Sequence, residues 1–317
     1  MRRLRKVGCY AQTELGHGSN VAGLETTATL DLDTDEFVLH SPTVSSTKFW
    51  PGSLGLWANY AVVFARCIVK GFDYGPQAFL VQIRDTETHM KLKGVKCGDI
   101  GPKLGYNSKD NGWLMFDSVR VPRTNMLCRF ASVSKEGDFE VRGNPKALYQ
   151  TMVEIRYQIV AAAGHALRKA LLIGLRYAVC RRQFSTIPGS KQERKLLDYQ
   201  SHMFKFGPLL AETYVMLVVG VQLHKYREVM NEETKRGKFK TLNLMHHFTS
   251  GLKSLFSQMT YDGIDLIRAN CGGAGYSAWS FLPQMYTEYS PVPVYEGDNT
   301  VMAQQTWTWI EKKLGKI

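Results

Sequence analysis

The segment Tyr295-Glu-Gly-Asp-Asn-Thr-Val301 sets a glutamate directly before a glycine, one of several residue types in this chain that could do chemistry. A carboxylate held in a loop can act as a general base. The same segment also reads as a helix start, with Asp298 or Asn299 as N-cap for the run from Val301, which would make Glu296 an ordinary acidic neighbour. Gly16-His-Gly18 is a turn after a strand; glycines there either serve the turn or let backbone amides come close to phosphate oxygens. Trp50 is either a core aromatic or a flat surface for a ligand ring. Arg181 and Arg182 close a long helical run, where they suit the negative end of the helix dipole or hold an anion. Arg156 borders the apolar position Ile155, so it needs a partner, or it carries its charge out to water along its stem.

The bulk of the chain narrows the chemistry. Lys plus Arg number 40 against 28 Asp plus Glu, a formal net charge of +12, which favours anionic partners of any kind, whether nucleotides, CoA phosphates, nucleic acid or acidic lipid surfaces, without choosing among them. The positive charge is spread along the chain with no helix-turn-helix, zinc-finger or aromatic RNA-reading pattern, so nucleic acid is not the expected partner. The six cysteines lie far apart without a C-x-x-C pair, as reduced thiols would. His246 and His247 are adjacent and on a helix point about 100° apart, which argues against a shared metal. No run reaches the ~20 apolar residues that cross a bilayer, so no transmembrane segment is expected, and the basic start Met1-Arg-Arg-Leu-Arg-Lys6 lacks the apolar core of a secretory signal.

Two different periodicities must position these residues. Up to about residue 125 the chain consists of short runs rich in branched and aromatic residues. A hairpin is expected over Thr27–Leu30 and Phe37–Leu39, with further strands at Tyr60–Ala65, Phe79–Ile83, Trp113–Phe116 and Val119–Val121. This half predicts an antiparallel β-barrel or sandwich over 1–135. From Leu148 the apolar residues recur every three or four positions, predicting a long helix to about Arg181, a second over Gln192–Met230 bent at Pro208, and a third over Leu242–Asn270 stopped at Gly272-Gly273. The fold class is therefore α+β, with an all-α bundle domain over 136–317.

Three separated segments, Tyr10-Ala-Gln-Thr-Glu-Leu-Gly-His-Gly-Ser-Asn20, Lys48-Phe-Trp-Pro-Gly52 and Tyr295 to Val301, together resemble the acyl-CoA oxidase branch of the acyl-CoA dehydrogenase superfamily. Gly98-Asp-Ile-Gly-Pro-Lys-Leu-Gly105, Val119-Arg-Val-Pro-Arg123, Arg181-Arg-Gln-Phe184 and Cys271-Gly-Gly-Ala-Gly-Tyr276 agree in the same order. The resemblance implies FAD as cofactor. Thr13 and Gly52 would contact the isoalloxazine ring, with Trp50 packed beside it. Arg181 and Phe184 would reach the FAD pyrophosphate of a neighbouring subunit, and Gly272 and Gly273 would receive the adenine end. Ser19, Arg156 and Gly297 fall at substrate positions. Glu296 would be the base that removes the α-proton of an acyl-CoA, giving a trans-2-enoyl-CoA, with dioxygen taking the electrons as hydrogen peroxide.

The resemblance also implies a homodimer or larger assembly, and helical domains before Tyr10 and after Glu296 that are not in this sequence. The chain ends Leu314-Gly315-Lys316-Ile317 rather than in a peroxisomal tripeptide, so a peroxisomal address is implied by family only, with a mitochondrial one as the other option. Two functional readings follow. One is an FAD-dependent oxidase, completed by further chain or by another subunit. The other is a catalytically silent structural or assembly subunit derived from such an enzyme.

Overall fold

The computed structural model describes residues 6–142 and 149–315. The chain divides into two compact units, Met1–Pro145 and Lys146–Ile317. This division lies ten residues beyond the expected 135/136 boundary, which falls inside a hairpin of β10 (Ala131–Val133) and β11 (Phe139–Val141).

The first unit is built on β5 (Tyr60–Val69), in which every second residue, Ala61, Val63, Ala65, Cys67 and Val69, is fully buried. That alternation is the pleat turning one face to the core. β6 (Phe72–Gln82) pairs antiparallel along one edge of β5. The other edge is shared by β1 (Gly8–Ala11) and β2 (Thr27–Asp31), and the sheet continues through β3 (Glu36–His40) to β9 (Val119–Pro122). The β2–β3 hairpin lies where the alternating pattern predicts it. The sheet is mixed rather than wholly antiparallel, because β1 and β2 both run parallel to β5, with Gly8 opposite Tyr60 and Thr27 opposite Arg66. Hairpin signals report only strands adjacent in sequence, and these two pairings are made at long range. A second sheet joins β4 (Lys48–Phe49), β8 (Gly112–Phe116) and β7 (Val95–Asp99). Phe37 and Phe79 meet edge to face at 4.9 Å in the core, beside the buried thiols of Cys9, Cys67 and Cys97.

The second unit is a bundle of α1 (Tyr149–Cys180), α2 (Gln200–Lys235) and α3 (Lys240–Asn270). It is completed by α4 (Gly273–Tyr276), α5 (Leu282–Tyr289) and α6 (Asn299–Leu314). α1 buries Val160, Ala163, Leu167 and Leu171 at three- and four-residue intervals, with Val153 two turns before them, the spacing of a single helical face. α2 begins eight residues later than Gln192. Residues 182–199 are held instead in a closed loop: Arg182 bridges Lys195, Gln183 N donates to Arg194 O at 3.0 Å, and the Tyr199 hydroxyl donates to Gln183 O at 2.7 Å. Helix α2 runs on through Pro208. It is also the one described helix long and apolar enough to cross a membrane by length and composition; its residues Phe206, Leu209, Met216 and Leu223 are buried in the bundle core.

Candidate functional site

In the β unit the first glycine-turn segment is fastened to the second. Thr13 O accepts from Phe49 N at 3.0 Å, Leu15 N donates to Thr47 O, and Glu14 bridges Lys48. Beneath this junction lies a buried ion pair. The Glu14 carboxylate accepts from Lys48 Nζ at 2.9 Å, from the Thr26 hydroxyl at 2.6 Å and from the amides of Glu25 and Thr26. Lys48 also donates to Gln12 O and Phe64 O. Burial pushes the Lys48 ammonium down to about 8, against the opposing pull of Glu14. His17 and Glu25 lie within reach of Glu14, but both Glu14 oxygens are already taken up, so the cluster is a hydrogen-bonded clamp on the turn.

Above the clamp, Trp50 is more than half exposed and sits at φ 82°, a left-handed conformation that is an outlier for a bulky residue. Its carbonyl is held by Asn111 Nδ2 at 2.6 Å, and its ring meets Phe49 edge to face. Gly52 has the Lys109 side chain where a Cβ would stand, with Lys109 Nζ on Ser53 Oγ at 2.9 Å. Thr13 is half-buried and Ser19 exposed. The unit therefore brings Thr13, Trp50 and Gly52 onto adjoining segments.

In the helical unit α1 ends at Cys180, and Arg181 is exposed with Nη2 donating to Gln183 Oε1 at 3.2 Å. Phe184 is exposed in a left-handed conformation, φ 56°. Gly272 takes φ 57° just past α3, and open space surrounds the positions where Cβ atoms of Gly272 and Gly273 would stand. No hydrogen bond among the described residues joins Arg181 or Phe184 to this glycine turn.

The same unit does bring Arg156 to Glu296. Arg156 is buried, donates Nε to Glu296 O at 3.1 Å and Nη1 to Ser250 Oγ at 3.3 Å; it neither snorkels nor faces solvent. Asp298 caps α6 by accepting from Thr300 N at 2.9 Å. The helix-start requirement is thus met by Asp298, and no described residue donates a hydrogen bond to the Glu296 carboxylate. Glu296 and Gly297 both have positive φ, 56° and 102°, so the loop turns sharply there, a strain of the sort found at functional positions. Glu296 as a whole is exposed, while the packing around its carboxyl disfavours the charged form and raises its pKa against the opposite pull of Arg156 and Lys253.

Lys253 was not legible as part of this site. It lies on α3 among Ser250, Ser254 and Ser257, a polar stripe at helical spacing that resembles a solvent-facing surface, and yet it is fully buried.

Residues 149–310 match the acyl-CoA oxidase C-alpha1 domain, and residues 9–119 match the acyl-CoA dehydrogenase middle domain. The chain belongs to the acyl-CoA oxidase family. It is 46% identical over 319 residues to peroxisomal acyl-coenzyme A oxidase 1 of Arabidopsis thaliana and 44% identical over 314 residues to that of Homo sapiens, in each case over 99% of this chain. It covers 48% and 47% of those two proteins, so it spans about half the length of the curated relatives it matches. The solved structure of Arabidopsis thaliana acyl-CoA oxidase 1 superposes with a TM-score of 0.95 at 46% identity, covering 99% of this chain and 48% of that one. Acyl-CoA oxidase-2 of Caenorhabditis elegans, bound with FAD, ascaroside-CoA and ATP, superposes with a TM-score of 0.94 at 42% identity, over 99% and 47% of the two chains. These relatives carry peroxisomal names in both plant and animal, which does not support the mitochondrial option.

Proposed function

We propose that this acyl-CoA oxidase-family chain forms the flavin and base core of an enzyme that oxidises acyl-CoA to trans-2-enoyl-CoA in the peroxisome, with Glu296 as the base. The observation that carries this is a carboxylate in a strained loop, without a capping role, on a backbone held by the buried Arg156, and the direction of its pKa shift is upward. A raised pKa makes it the stronger base needed for a weakly acidic thioester α-carbon. FAD fits what the chain offers: an exposed Trp50 beside Thr13 and Gly52 for the ring, open space at Gly272 and Gly273, and an Arg181 guanidinium with no acidic partner among the described residues for phosphate. When bound, FAD supplies the acceptor for the β-hydride and passes the electrons to dioxygen, giving hydrogen peroxide. The chain's own part is to hold Glu296 at the α-carbon, to carry the α-proton on that carboxylate, and to present the Glu296 and Gly297 backbone near the thioester. Arg156 fixes the Glu296 carbonyl, so it acts on the substrate through this loop.

Arg181 and Phe184 are proposed to serve the FAD of a neighbouring copy, making the working form a homodimer or larger assembly. The test is the cofactor content of the purified protein. FAD released on denaturation, and taken up again on addition, is the expected result, and Arg181→Ala should weaken that retention about tenfold or more while leaving the circular dichroism and melting temperature near the parent's. A colourless protein that takes up no FAD would favour the catalytically silent subunit.

A further inference from the structure

We infer that Lys253 is the positioning residue that holds the Glu296 loop in place, tying it to α3 and setting the electrostatic poise of the base. This inference rests on the reading of Glu296 as the base. Three hydrogen bonds leave one fully buried ammonium. Lys253 Nζ donates to Pro293 O at 3.0 Å, Gly297 O at 2.6 Å and Asn299 Oδ1 at 3.0 Å, on both sides of Glu296. The three acceptors use all three protons of the group.

Asn299 is fastened in turn. Ser254 Oγ donates to its carbonyl at 2.9 Å, and Asn299 Nδ2 donates to Ser257 Oγ at 3.0 Å. With Ser250 holding Arg156, which itself holds Glu296 O, the whole polar stripe of α3 faces this loop. Among the described residues no hydrogen bond joins Lys253 to a carboxylate; its acceptors are two backbone carbonyls and an amide. A buried cation without an ion-pair partner is costly to the fold, and this one is spent wholly on the segment that carries the base.

The charged groups facing Lys253 are Arg156 of α1 and the loop carboxylates Glu296 and Asp298. Burial pushes the Lys253 ammonium down to about 8, which leaves it charged at pH 7. As a cation it stabilises the ionised form of Glu296 and so pulls its pKa down. Removing the charge should therefore raise the pKa of the base, and removing the hydrogen bonds should loosen the loop.

Lys253→Met keeps the length and apolar stem of the side chain and removes both functions. Two readouts on the FAD-loaded protein separate them. Backbone amide hydrogen exchange over residues 294–299 needs no turnover; it should speed up at least tenfold, with α1 and the β unit unchanged. Anaerobic flavin reduction by an acyl-CoA should slow about tenfold to a hundredfold, the penalty for a reacting group displaced by about an ångström, and its acidic limb should move to higher pH. Asn299→Ala leaves the Lys253 charge in place and serves if Lys253→Met does not fold; it should loosen the loop without that upward move. Unchanged exchange in 294–299, or a faster exchange with an unmoved acidic limb in Lys253→Met, overturns the inference. So does an Asn299→Ala protein whose loop exchanges like the parent's. Glu296→Gln tests the base separately: if that variant reduces flavin at the parent rate, the reading of Glu296 fails, while the exchange measurement still reports on the tether.

Discussion

Glu296→Gln is expected to give a folded protein that retains FAD and binds acyl-CoA but reduces its flavin about 10²- to 10⁴-fold more slowly, the usual loss when a positioned general base is removed. Folding should survive because the held atom is the Glu296 carbonyl, which accepts from Arg156 in either variant. Anaerobic mixing with substrate isolates this step from oxygen. In the parent, the rate should rise with pH through an acidic limb above the ordinary carboxylate range near ~4.3, because the base works only when ionised and desolvation raises its pKa. The sign for stability is opposite. A carboxyl with a raised folded pKa contributes stability that is present below its unfolded pKa and is lost as pH rises through the folded one. The Gln variant lacks this loss, so at neutral pH it should melt no lower than the parent. Equal flavin reduction in both proteins would return Glu296 to the role of a bystander near the α6 cap.

Glu14→Ala should cost the β unit about 3–5 kcal/mol, because it strands the Lys48 ammonium in a site with no solvent exposure. It also unsatisfies the amides of Glu25 and Thr26. Chemical denaturation read from the β unit's tryptophans measures it. The double change Glu14→Leu with Lys48→Met should recover much of the loss, since a buried pair replaced by apolar residues of similar size is often neutral. A single variant with an unshifted midpoint would mean that water reaches Lys48.

The periodic parts of this fold were legible. The alternation in β5 and the three- to four-residue spacing in α1 are set by burial of one face, and a sequence displays that directly. What escaped was everything decided at long range. The parallel pairing of Gly8 with Tyr60 leaves no local mark, and the start of α2 was drawn too early because residues 192–199 are helix-compatible until the Arg182–Lys195 bridge claims them. At the candidate site, Glu296 stood out through the resemblance of the Tyr295–Val301 segment, since its local sequence alone reads as the approach to a helix cap. Arg156 stood out because it borders an apolar stripe. Lys253, Ser254 and Ser257 did not, since a polar stripe on a helix ordinarily faces water, and only the position of the 293–299 loop turns it inward.

The buried thiols of the β unit bear on a hazard that comes with the proposed reaction. An oxidase makes peroxide beside its own polypeptide, and peroxide attacks thiolate rather than thiol. Burial pushes the Cys9 and Cys67 thiols up to about 12, so at neutral pH only about one in 10⁵ of either carries the reactive charge, and Cys97 is raised in the same direction. These three sulfurs are therefore kept chemically quiet by the packing that makes them core. Cys128 and Cys180, both exposed, have no such shelter, and oxidative wear in a working enzyme would register there first, leaving the core of the β unit intact through many turnovers.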